Sequence, residues 1–511
     1  MPIVFVPFDG WSPGGSDFGE GWETALNIYP AYDSARPWRK FLAAGPGAVD
    51  GPMTGRHTHI WASGAGTGAY LPDAQTIFTG SPTKLYTVDP ASGAFTSVSR
   101  VGGYGPNMAG WRFVSIGNDI WATDAVDPLQ RRTNNAGLFA NGVVSTFKPQ
   151  PRYITTVREH FVGANLSNAG RFQDEVVWSD ADDATNFDPA PGGSTSTSLA
   201  GNKRLVSVPG QITGLVGGQY LLAFKRNAIF YGEYAGYPTI FNFDLLSSNV
   251  GTGFPSSIIV TRYGTFFVGP DGIYRITGLS APQKISPPGV DQYLLDSTVT
   301  NEPNSSFSFY GWQEDTQLVG FQSTAWPLVG WAFRNLWQDP GNVLAILYNP
   351  VTDSWGQVQI EHPVGTQPTM VVERPYARDN YAALAALTWD GTNSAYAELN
   401  SGGTVYGPLL ALRFRPANLE TALPQGQSTI KGVLPIFSRS TVLSPQVSVT
   451  PLLDPFNTTG ATETRTAAQR DVVAGWYPFQ TAGRFFRIVI SCAAEDFDSF
   501  EGCFVNQELL R

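Results

Sequence analysis

Charge is what this 511-residue chain has least of: Asp, Glu, Lys and Arg together make 14% of it, where ordinary soluble domains carry about a quarter. Lysine is scarcer still, confined to Lys40, Lys84, Lys148, Lys203, Lys225, Lys284 and Lys431. No block of Lys and Arg occurs, and the formal net charge is −10. A protein that grips nucleic acid needs cations clustered on phosphates, because counterion release supplies most non-specific affinity. The sequence lacks that footprint, and its sign suits a surface along which DNA slides. Cysteine is nearly missing: Cys492 and Cys503 are the only two, too few for a disulfide framework and read as buried free thiols. No uncharged apolar run reaches the ~18 residues of a spanning helix. The stretch "MPIVFVPFDGWSPGG" has neither the basic nor the apolar region of a signal peptide, so synthesis in the cytosol without membrane insertion is expected. Helical periodicity is sparse too, with a short helix over 37–42 as its main candidate.

What is abundant is glycine, proline and aromatic side chains, the last at 13% of the chain. A low-charge, aromatic-rich surface is the composition of faces that meet other subunits, where charge is depleted. Strand signals recur throughout: an apolar run, a tight polar or glycine-containing turn, then a second run rich in Ile, Tyr, Phe and Val. The pattern reads in "RFVSIGNDIWATD", "YLLAFKRNAIFYGE", "TFFVGPDGIYRITG" and "NVLAILYNPVTDSWGQV". Leu221 and Phe266 lie 45 residues apart and Phe113 and Phe161 lie 48 apart, near the ~40–50-residue period of four-stranded propeller blades. The fold class expected is all-β: a propeller of six or seven blades over 51–424, preceded by an N-terminal arm (1–50) and followed by a β-sandwich-like domain (425–511). Loops inserted at about 170–205 and 276–341 interrupt the period.

The densest cluster of carboxylates is "VVWSDADDATNFDP", with Asp180, Asp182, Asp183 and Asp188. An EF-hand loop counted from Asp180 needs Gly at its sixth place and Glu at its twelfth, and finds Thr185 and Pro191. The favoured reading is a turn-rich loop whose aspartates cap their own backbone amides between the anchors Trp178 and Phe187. His57 and His59 would share one face of a strand, but no third metal ligand lies near them. No G-x-S-x-G elbow occurs. Carboxylate pairs of a propeller glycosidase, such as Asp182 with Glu233 or Glu314 with Asp353, are not selected by spacing. No catalytic residue, metal or cofactor is assigned.

Taken in order, "ALNIYPAY", "VVWSDADDATNFDP", "ITGLVGGQYLLAFKRNAIFYGEY", "VGTGFPSSIIVTRYGTFFVGPDGIYRITG", "GRFFRIVISC" and "EGCFVNQE" resemble the tail hub or nozzle proteins of short-tailed bacteriophages, also called packaged-DNA-stabilisation proteins. The resemblance covers most of the chain from about Asn27 onward, and the segment 325–342 has no counterpart in it. It implies a non-enzymatic virion tail subunit, assembled in the bacterial host cytoplasm. About six copies would form a homo-oligomeric ring below the portal-adaptor, meet a tail fibre, spike, needle or plug protein, and pass double-stranded DNA without reading its sequence. Interface candidates are Trp22, Tyr29 and Tyr32 of the arm, with Trp178, Asp180, Asp182 and Asp183 of the loop. A glycan-binding propeller and a glycoside hydrolase are the alternatives.

Overall fold

Strands dominate the computed structural model, which describes residues 3–8, 22, 24–31, 34–37, 59–62, 76–89, 94–105, 110–189, 198–295, 318–323, 327–334, 342–361, 367–373, 384–389, 394–399, 409–414, 427–438, 444–452, 461–471, 474–492 and 499–510. The all-β expectation holds. Between residues 59 and 399 the chain lays down antiparallel groups in sequence order. Four strands each form group I (59–97), II (112–141), III (151–204), IV (212–247), V (259–284) and VI (318–361), and three form group VII (367–399). Within a group each strand pairs with its predecessor, as where Trp121 faces Val114 and Phe224 faces Ile229.

Inner strands such as Ile77–Gly80, His160–Leu166, Glu175–Trp178 and Leu221–Lys225 are buried along their whole length because both of their faces are covered, whereas outer strands such as Gly201–Arg204 are exposed. In Glu175–Trp178 of group III, Val177 joins Trp121, Phe161 and Phe187 on the side of group II. Its neighbours Val176 and Trp178 point the other way, to Leu221, Ala223 and Phe241 of group IV. In Leu221–Lys225 the alternation repeats: Leu222 and Phe224 turn instead to Phe267 and Tyr274 of group V. Each large side chain so buried contributes roughly 1.5–3 kcal/mol, and none of these sheets could keep that gain alone in water. The first strands lie side by side: Arg112–Ile116 against Pro151–Val157, the latter against Ile212–Val216, Ile259–Thr261 against Leu318–Ser323, Leu318–Ser323 against Gln367–Glu373, and Gln367–Glu373 against His59–Ala62.

Lys225 ends its strand with 1% of its surface exposed. Its Nζ donates to the carbonyls of Leu205 and Val208, both at 2.6 Å. Burial pushes its pKa down, and the two carbonyls, which belong to the link between groups III and IV, are what hold the ammonium there.

The spacing read from sequence captured one true repeat and one false one. Leu221 and Phe266 occupy second strands of adjacent groups, whereas Phe113 is on a first strand and Phe161 on a second. Segment 170–205, expected as an inserted loop, carries the third and fourth strands of group III, Glu175–Trp178 and Gly201–Arg204. Segment 276–341, likewise expected as an insertion, contains an outer strand of group V (Gln283–Lys284), a helix (Pro288–Leu295) and two strands of group VI. The stretch 325–342 supplies one of those two, Leu328–Arg334, with Trp331 fully buried and its indole bonded to Ser257 O at 3.1 Å. Pro37 ends a strand, Ser34–Pro37, and the rest of the helix expected over 37–42 lies outside the described residues.

Group VI is also the joint to the remaining chain. Its outer strand Ser354–Glu361 pairs in parallel with Thr24–Leu26 through Leu26 and Gln357. The sheet continues through Leu409–Phe414, Phe485–Ser491, Gln446–Leu452 and Glu463–Arg465, making nine strands. A second sheet joins Ile28–Ala31, Ser34–Pro37, Ser499–Leu510, Gln427–Ser438 and Tyr477–Gly483, with Ile3–Pro7 also on Ser499–Leu510. Ile430, Val433 and Tyr477 of this sheet meet Val447, Val449, Phe486 and Ile488 of the first in one core. Here burial alternates strictly along Phe485–Ser491, as it must where one face is wet.

The N-terminal residues therefore pack within their own chain. Trp22 is fully buried, its Nε1 donates to Pro7 O at 3.1 Å, and its ring meets Phe500 edge-on at 5.2 Å. Trp22→Ala should lower unfolding free energy by about 3–5 kcal/mol and expose Ile3–Pro7 to limited proteolysis. Unchanged denaturant unfolding and cleavage would mean that the segment is held by other contacts.

Candidate assembly loop between adjacent sheets

The aspartate-rich segment connects the third and fourth strands of group III, and its shape follows from its own side chains. The Asp180 amide donates to Asn186 O at 2.9 Å and the Asn186 amide to Asp183 O at 3.2 Å, closing a tight turn. Asp180 Oδ1 accepts from the amides of Ala181 (2.9 Å) and Leu199 (2.8 Å), tying the two ends of the connection together. Asp183 Oδ1 takes the Thr185 amide (3.0 Å) and hydroxyl (2.6 Å) in an Asx turn. Asp182 holds φ at 57°, a left-handed conformation that Asp tolerates better than branched residues, while its amide reaches Glu159 O at 3.2 Å.

Asp188 works between sheets. Its two carboxylate oxygens accept the amides of Thr146 at 2.7 Å and Phe147 at 2.9 Å, on the link from group II to group III. Beside it the Phe187 amide donates to Ser145 Oγ at 3.1 Å, and the Phe187 ring sits edge-on to Phe161 at 5.7 Å. Partial burial opposes ionisation of Asp188, but the amides of Phe147 and Thr146 outweigh it and hold the carboxyl below its ordinary range. The loop is thus a clasp closed by backbone amides on carboxylates. Among the described residues no three His, Cys, Asp or Glu side chains gather as metal ligands do.

The remaining candidates fall in different places. Trp178 is buried between groups III and IV, its Nε1 bonded to Leu199 O at 2.9 Å, over Gly201, where a Cβ would come within 2.6 Å of the indole. Asp182 and Asp183 are exposed and Asp180 is half-buried. Trp22 and Tyr29 are buried inside the chain, so neither offers aromatic surface to a neighbour. Tyr32, His57, Glu314, His362 and the side chain of His59 lie outside the described residues. Asp353 accepts the Tyr348 hydroxyl at 2.8 Å within a turn. His160 is buried with Nδ1 2.7 Å from Ser179 O, where it steadies the root of the loop. That role was missed in the sequence, where an isolated histidine carries no pattern.

No protein-family description matches this chain, and no curated protein matches it. Among solved structures, the crystal structure of the computationally designed Ika8 protein (crystal packing No. 1 in P63) aligns at a TM-score of 0.32 and 12% identity, over 68% of this chain and 97% of that one. A likeness at that level carries no argument about fold or function.

Because the folded pKa of Asp188 is depressed, its contribution is complete above the ordinary carboxyl pKa of about 4 and is lost as pH falls through the folded value. Asp188→Ala should cost about 1–2 kcal/mol at pH 7, with the gap from wild type closing as pH falls through and below the ordinary carboxyl range. Equal stabilities of the two proteins at pH 7 in chemical denaturation would refute the clasp. At Asp182 the backbone decides: Asp182→Gly should leave stability within about 0.5 kcal/mol of wild type, whereas Asp182→Val should lose about 1–2 kcal/mol, both read from the same unfolding curves.

Proposed function

We propose that the chain is a structural subunit of the tail nozzle of a short-tailed phage, and that groups I to VII form a seven-bladed β-propeller. The observation that carries the fold is the succession of first-strand contacts, which runs from group II through III to IV, from V through VI to VII, and returns from VII to I. Sheets apolar on both faces are buried throughout when they stand around an axis, each between two neighbours. The order of the motifs shared with nozzle proteins carries the function, and those motifs fall on structural elements: the clasp loop, the strands of groups IV and V, and the last strands of the C-terminal sheets.

In this reading DNA does not pass along the axis of the subunit. On this reading Pro255, Ser256 and Ser257 stand on that axis, because they are buried with Arg112 Nη2 of group II 3.5 Å from Ser256 Oγ and Trp331 of group VI bonded to Ser257 O. The lumen is instead the space enclosed by a ring of copies, six by the resemblance. Each subunit near −10 gives the ring a field that repels phosphate at short range, so the genome moves without sticking and is retained by a steric block. Ring closure needs a heterologous contact, which the low-charge surface supplies. No bond is made or broken by the protein.

Electron microscopy of particles carrying the protein with a C-terminal affinity tag, labelled with antibody, should place label at a single vertex, on a ring below the portal. Label distributed elsewhere, or a purified chain that hydrolyses glycans with loss on replacing a single carboxylate, would overturn the nozzle assignment.

A further inference from the structure

At the end of group III, beside the start of group IV, the chain forms an open cleft of about 610 Å³ between the turn 166–174 and residues 210–211. Arg171, Phe172 and Asp174 of its lining are held from behind by side chains outside the cleft. Arg204 makes two parallel bonds to Asp174, Nε to Oδ1 and Nη2 to Oδ2, each 3.0 Å. The same guanidinium lies 3.6 Å from the ring centroid of Phe172. Arg171 rests 4.1 Å over Phe147, and its Nη1 is 2.8 Å from Oε1 of Glu175, whose side chain is 2% exposed. Each ion on this wall thus has its counter-ion.

Two features of the cleft remain open to a ligand. Phe172 carries the Arg204 guanidinium against its ring and is still 46% exposed, an uncommon state for Phe at the tip of a turn. The side-chain amides of Gln173 and Gln211 line the cleft and make no hydrogen bond with other described residues, although their segments are tied by the Ile212 amide to Gln173 O at 2.9 Å. Gly210, at φ 111°, leaves open space beside them.

We propose that this cleft binds a neutral saccharide. A charged ligand would have to displace an ion pair, while a sugar needs what the wall presents. Its C–H face packs on an exposed aromatic ring, and its hydroxyl pairs bridge the donor and acceptor of an amide or the outer lone pairs of a bound carboxylate. A shallow site of this kind, with few immobilised contacts, binds a single sugar chain weakly. The inference does not depend on the tail assignment: a tail location without saccharide binding would refute the cleft alone.

Saturation-transfer NMR on the full chain with neutral gluco-, manno- and galacto-hexasaccharides at millimolar concentration tests it, with oligogalacturonate as the acidic comparison. At least one neutral sugar should receive magnetisation, and Gln211→Ala and Phe172→Ala should each reduce that transfer at least threefold while thermal unfolding stays within 2 °C of wild type for the surface variant Gln211→Ala. Absence of transfer to all three neutral sugars, transfer to the acidic one alone, or transfer undiminished in both variants would overturn the proposal.

Discussion

Every sheet between residues 59 and 399 whose side chains are described is greasy on both sides, and that one constraint organises the rest. A sheet in this state has no face to offer water, so its partners must be other sheets. Alternate residues of a single short strand then serve two different cores, as Val176 and Val177 do. Side-chain substitutions in such strands are felt on both sides, and the loops that cross from one sheet to the next become part of the packing. This is why the carboxylate of Asp188 and the ammonium of Lys225, on different loops and strands, have the same task. Each satisfies backbone groups of an inter-sheet link that would otherwise lie unpaired beside a dry core.

The C-terminal sheets obey a different rule. Burial alternates along Tyr477–Gly483 and Phe485–Ser491, and the core is closed by segments from opposite ends of the sequence. The short Thr24–Leu26 strand is wedged between group VI and Leu409–Phe414, so the two bodies share one continuous hydrogen-bonded sheet. A hinge at that point would require breaking the Leu26–Gln357 pairing and the ladder from Thr24–Leu26 to Leu409–Phe414.

Much of this was legible from the residues. Apolar runs of four to eight residues separated by glycine-bearing turns specify strands, and the failed calcium spacing of Asp180 to Pro191 already pointed to turns. What the sequence hid has physical reasons. Trp331 sits in a segment flanked by Pro and Gly that looks like an excursion, yet a fully buried strand has no alternation to betray it. The third and fourth strands of group III are separated by a long connection that masks their pairing, which made the whole segment look inserted. Trp22 and Tyr29 look like surface anchors because an N-terminal Gly/Pro-rich stretch has no local pattern. Phe500, which Trp22 meets, is nearly the full chain away, and the strand of Tyr29 pairs with Ser34–Pro37 and packs against Ser354–Glu361, more than 300 residues on. The helix Pro288–Leu295 was missed, because eight residues are too few to show helical periodicity, although a serine followed by prolines and an acid in the first turn are start signals.

The pairing of Ile3–Pro7 with Ser499–Leu510 bears on how the chain is made. At ribosomal speeds of about 5–20 residues per second, roughly half a minute or more separates emergence of those two strands. During that interval Ile3–Pro7 has no edge to join, while groups I to VII can settle in order of synthesis. The last strand, which also pairs along Gln427–Ser438, arrives as a keystone. A chain stopped short of it would leave Ile3–Pro7, Ser34–Pro37 and Gln427–Ser438 without the strand they share, an open seam through the middle of that sheet.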